Sequence, residues 1–226
     1  MQYAYGLTIP QTVEEACDPA RLALLIYDMQ IGIVRQLPDG ERITESCRRL
    51  RDTARENGFR VFYTRHMSIP VAAAGVSQLR TAMEWQHVDS VNEVHASFPQ
   101  GSPQYQLVPE LTPGPNEIVF DKITMSAFTA TPLDIALRDL GIDSFAIAGI
   151  ALEVGIEPTV RHATDLGYLP IVVTDACGSG HPEAAERSYA TLAFAGGSRT
   201  TDTATLTKLL GGDDRESGGN TRSRVS

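Results

Sequence analysis

Asp28, in LLIYDMQ, follows an apolar run directly, and Lys122, in VFDKITMSAF, lies just past another. A carboxyl sheltered among neighbours such as Leu25, Tyr27 and Met29 can carry a proton, and an ammonium brought beside it can stabilise developing negative charge. Each also has an ordinary reading: a strand-end cap for Asp28, and a surface ion pair with Asp121 for Lys122. Arg65 and His66 follow a third run, VFYT, where Arg65 serves either a structural ion pair or a substrate carboxylate and His66 either structure or a substrate hydrogen bond. In GIALEVGIEPT, residues 149–159, the glycines permit a tight turn into a helix whose first N–H groups point outward. Either a plain strand-to-helix turn or an anion site would read this way. Cys177, in VVTDACGSG, is a further candidate, although a buried thiol is generally inert.

These residues stand at the ends of short apolar runs that alternate with helical patterns. Strands are expected at Leu22–Tyr27, Arg60–Thr64, Glu117–Phe120, Ser144–Ala148 and Pro170–Thr174. Ile43, Cys47, Leu50 and Ala54 fall on one helical face, with Asp39 before it and Gly58 after it. Thr131-Pro132 opens a helix that turns Leu133, Ala136, Leu137 and Leu140 inward. Another helix runs from residues 149–159 to about Leu166. His181-Pro182 opens one with Ala185, Tyr189 and Leu192 inward, and a last helix starts near Asp202. Continuously apolar strands joined by helices imply a sheet covered on both faces. The expected fold is a three-layer α/β/α, Rossmann-like domain with a mostly parallel, six-stranded sheet. In such a sheet ligands bind beyond the carboxyl ends of the strands, where all the candidates lie.

One domain is expected over residues 1–210, with an insertion at 65–116 and a flexible tail at 211–226. The insertion is long for a plain connection and is read as a lid or a subunit contact. It holds Trp85, which either walls a pocket or fills that contact. The chain of 226 residues has 19 basic and 28 acidic side chains, a net charge of −9 that excludes the basic excess of a nucleic-acid binder. No apolar stretch approaches the roughly 20 residues a membrane-spanning helix needs. Three cysteines argue against a disulfide framework. A cytoplasmic protein with a small-molecule substrate is expected, binding neither nucleic acid nor membrane. His87 and His95 make a poor metal pair, and no glycine-rich nucleotide motif follows the first strand, so neither metal nor other cofactor is expected.

LALLIYDMQ, VFYTRH and the stretch from VFDKITMSAF through SFAIAGIALEVGIEPTVRHATDLGYLPIVVTDAC together resemble the isochorismatase-like hydrolase superfamily over residues 20–210. The resemblance implies a site of Asp28, Lys122 and the position held by Gly155, where many members carry a nucleophilic cysteine. Phe128, Leu152 and Glu153 are then expected beside Arg65, His66 and Trp85 around the substrate, and a homodimer or homotetramer is expected. Glycine offers no nucleophile. The members that cleave isochorismate-type vinyl ethers also resemble this chain in having glycine there. That chemistry needs an acid to protonate the methylene carbon and water to capture the cation. The YTRHM run, in contrast, looks like the amide-cleaving branch. The expectations are therefore a hydrolase without a thiol nucleophile acting on a vinyl ether, a C–N hydrolase using activated water, or an inactive ligand-binding homologue. A glycine engineered in place of a nucleophile would read the same way.

Overall fold

A computed structural model describes residues 1–212. It opens with a small antiparallel hairpin, β1 (Gln2–Ala4) and β2 (Leu7–Ile9), and a short helix α1 (Val13–Ala16). The main body then runs β3 (Leu22–Tyr27), α2 (Ile31–Val34), α3 (Gly40–Glu56), β4 (Arg60–His66), α4 (Val76–Gln86) and β5 (Ile118–Lys122). It continues α5 (Leu133–Asp139), β6 (Ser144–Ile150), α6 (Glu157–Asp165), β7 (Leu169–Gly178), α7 (Pro182–Ala195), β8 (Arg199–Thr201) and α8 (Thr203–Gly211). Six strands form one sheet in the order β5-β4-β3-β6-β7-β8, every pair parallel. The chain leaves β3 toward one edge and returns to build the other, so the order reverses between β3 and β6. A crevice opens at such a reversal.

Side-chain alternation divides the interior into two cores. Leu22, Leu24 and Ile26 face α3 and α8, where Ile43, Cys47, Leu50, Ala54 and Leu206 are fully buried. Ala23, Leu25 and Tyr27 face the opposite layer, against Leu133, Leu137, Val160, Ala163 and Leu192 of α5, α6 and α7. All six residues of β3 are buried because helices cover both faces. Burying each large aliphatic side chain contributes about 1.5–3 kcal/mol, which makes the strand ends a firm platform.

Several boundaries differ from the sequence reading. β4, β5, β6 and β7 all extend beyond the expected apolar runs, carrying His66, Lys122, Ile150 and Gly178 into the sheet. Pairing with a neighbouring strand, rather than local hydrophobicity, decides where they stop. Leu140, the C-cap of α5, is 39% exposed instead of inward. α8 runs through Gly211, the first residue of the expected tail, and residues 213–226 of that tail lie outside the described residues. The insertion at 65–116 carries its own helix, α4, and several single 3-10 turns. Among the described residues no helix is long and apolar enough to cross a membrane.

Candidate active site

β3 delivers Asp28 and β5 delivers Lys122 to one buried point. Asp28 follows the last residue of β3 with φ of 47°, a left-handed conformation that Asp tolerates better than most side chains. This turn stops the strand, and the Asp28 N–H donates to the carbonyl and hydroxyl oxygens of Thr64 on the adjacent strand. The Lys122 ammonium donates to Asp28 Oδ2 at 2.6 Å and the Thr64 hydroxyl to Asp28 Oδ1 at 2.6 Å. Lys122 Nζ also donates to the Thr124 carbonyl and lies 4.3 Å from the centre of the Tyr27 ring. Asp28 and Lys122 are both almost wholly buried, so their charges depend on each other and on these polar contacts.

Gly155 completes the arrangement in an unexpected way. It lies in a single π-helical turn, Leu152–Ile156, between β6 and α6. A Cβ added at Gly155 would stand 2.0 Å from the Tyr27 phenolic oxygen, far inside contact distance. The position reserved for a thiol in the sequence reading is therefore not open: the Tyr27 hydroxyl fills it. This phenol donates to the Met125 carbonyl, and burial together with neighbouring Asp28 raises its pKa well above the ordinary tyrosine value. Gly149, at φ 139°, meets Tyr27 from the backbone side, where a Cβ would come within 2.0 Å of its carbonyl oxygen. The two glycines of GIALEVG thus enclose one tyrosine, and only the absence of side chains lets β6 and the following turn close on it.

A cavity of about 920 Å³ opens beside this cluster, walled by the insertion and by residues 123–125. His66, Trp85, Phe98, Thr124 and Met125 line it, whereas Asp28 and Lys122 are not among the lining residues. The contacts to Thr124 and Met125 tie that wall to Lys122 and Tyr27. Gln30, fully buried, fixes the other side: its side chain bonds both backbone groups of His66 and the carbonyl of Tyr105. Burial lowers the pKa of His66; Asp28 opposes this and Lys122 adds to it, leaving the imidazole neutral at pH 7.

The remaining expected site residues divide clearly. Trp85 lines the cavity, with 53% of its surface exposed. Arg65 does not reach the cavity: its guanidinium forks onto Asp121 and stacks over the Tyr105 ring. Lys122 consequently pairs with Asp28 and not with Asp121. Phe128 turns into the core against Phe145, Tyr168 and His162, and Leu152 is fully buried there too. Glu153 binds the N–H groups of Gly180 and His181 at the start of α7, away from the cavity. Cys177 is buried against the Ile147 carbonyl, with its thiol pKa pushed up to about 12 by burial. Cys47 lies in the opposite core, its thiol also raised by burial. Neither sulfur is a ready nucleophile. Thr64, Gln30 and Tyr27 were not singled out in the sequence, although Tyr27 and Gln30 flank Asp28 within LLIYDMQ.

Comparison with known proteins bears on this geometry. A model of the isochorismatase domain matches residues 22–205. The chain belongs to the isochorismatase family of hydrolases. It is 32% identical over 190 residues to YwoC, an uncharacterized isochorismatase family protein of Bacillus subtilis, covering 82% of this chain and 93% of that protein. A cysteine hydrolase of Pseudomonas syringae shares the fold with TM-score 0.73 at 22% identity, covering 85% of this chain and 93% of that one. An isochorismatase family protein of Burkholderia thailandensis superposes with TM-score 0.69 at 27% identity over 85% and 96% of the two chains. An N-carbamoylsarcosine amidase of Thermoplasma acidophilum has TM-score 0.68 at 22% identity, covering 81% and 96%. The α/β fold is shared with these solved structures.

Proposed function

We propose that this isochorismatase-family chain hydrolyses its substrate without a covalent thiol intermediate, moving one proton through the Lys122–Asp28 pair. The supporting observation is the Tyr27 hydroxyl lodged against Gly155, in the volume a nucleophilic side chain would need. A vinyl ether, the bond isochorismate carries, asks least of these groups. A proton passes from Lys122 along the 2.6 Å contact to Asp28 and on to the methylene carbon, leaving a negative pair opposite the oxocarbenium cation. Water adds to the cation, its proton returns to the pair, and the hemiketal collapses to an alcohol and a ketone.

A second reading, C–N hydrolysis, draws support from the same ion pair. A resting Asp28 carboxylate is a base able to take a proton from water, and Lys122 would then face the tetrahedral oxyanion. A panel of enol ethers and amides read for ketone and ammonia together separates the two. Ketone released from an enol ether, abolished by Asp28→Asn and retained after thiol alkylation, is the expected result. Ammonia release under the same controls selects the second reading. Loss of activity on alkylation contradicts both, and binding without turnover makes the chain an inactive homologue.

A further inference from the structure

We infer that the cavity selects a ligand uncharged over the part that contacts its wall, an amphiphilic molecule of amide or hydroxyl character. The inference specifies the substrate of the hydrolase reading above and rests on the cavity being that enzyme's binding site. Its volume of about 920 Å³ suits a small organic molecule. Among the described residues lining it there is no Asp, Glu, Lys or Arg, and the histidines are His66 and His95. Amide groups of Gln36, Gln78 and Gln104, with serine and threonine hydroxyls, supply the hydrogen-bonding capacity, and Trp85 and Phe98 supply apolar faces.

Two cations at the adjoining strand ends are already committed. Arg65 is forked onto Asp121, and Lys122 is paired with Asp28. His66 is neutral at pH 7 and meets the Phe98 ring edge-on, with 6.1 Å between centroids. A carboxylate entering here would lose hydration without gaining an opposite charge, and a cation would meet no carboxylate on the wall. The chain's net charge of −9 adds a general penalty for anions. Uncharged amides and ethers meet the wall's chemistry, whereas a dicarboxylate such as isochorismate does not.

Three isosteric probes test this directly: naphthalene-2-carboxamide, its carboxylate and its amidinium, each titrated calorimetrically at pH 7.5 into the intact protein. The carboxamide is expected to bind roughly ten-fold or more tightly than either charged probe. Ser97→Arg, which places a cation on the wall, is expected to reverse the order of carboxamide and carboxylate. Equal or tighter binding of the carboxylate to the unmodified protein overturns the inference. So does failure of all three to bind, or an order unaffected by Ser97→Arg in a variant whose melting temperature matches the parent. Because binding is read without turnover, an enzyme inactive on every substrate but selective for the carboxamide refutes the hydrolase reading alone. Thiol-independent turnover by an enzyme that prefers the carboxylate refutes this inference alone.

Discussion

Two regions border the same space and are built on opposite principles. The strand ends of β3, β4 and β5 hold a buried, charge-paired set in which Asp28, Lys122 and Thr64 make close polar contacts. The cavity-lining residues of the 66–104 stretch include no Asp, Glu, Lys or Arg, and Trp85 among them is half open to solvent. On the proposed reading, chemistry sits on elements that both cores immobilise and recognition on an insertion with little buried apolar surface. Parallel strand ends supply the rigidity that a transferred proton requires, and the insertion can change its lining without disturbing them.

The contrast should appear most strongly in stability. Lys122→Met leaves a buried carboxylate unpaired and is expected to cost about 3–5 kcal/mol in urea unfolding as well as activity. An unchanged midpoint would mean that Asp28 and Lys122 are not coupled. Thr64→Val removes a hydrogen bond to a charged oxygen and should cost about 1.5–3 kcal/mol, with turnover falling as Asp28 loses its orientation. By contrast, Trp85→Ala on the cavity wall should shift stability by within about 1 kcal/mol while weakening carboxamide binding.

His66 joins the two regions, and its effect is smaller and depends on pH. Its folded pKa lies below its unfolded value near 6.5, so between the two the unfolded state binds more protons. Its contribution to stability is therefore complete above about pH 6.5 and declines as the pH falls toward the folded value. His66→Gln should flatten that part of the stability profile, and identical slopes for parent and variant would contradict the assignment.

Asp28 and Lys122 were legible in the sequence because each ends an apolar strand, and the parallel fold brings strand ends together. Thr64 was not, since a threonine inside VFYT reads as an ordinary strand former. Phe128 and Leu152 were expected around the substrate from the family resemblance, but which way a side chain faces depends on the layer packed against it, and both turn into the core. Glu153 went to the start of α7 for the same reason, drawn by two N–H groups distant in sequence. Tyr27 is the most instructive omission. Its role depends on the approach of Gly149 and Gly155, more than a hundred residues away, and no local pattern records that closeness.

A double-mutant cycle at positions 27 and 155 tests that relation most directly. Gly155→Cys alone forces a side chain onto the Tyr27 hydroxyl and should cost about 1–3 kcal/mol. Tyr27→Val removes the obstruction, so Tyr27→Val/Gly155→Cys should unfold at higher urea than additivity predicts, with a coupling of about 1 kcal/mol or more. Strictly additive costs would mean that the phenol does not occupy the thiol's place, and the case for hydrolysis without sulfur would lose its foundation.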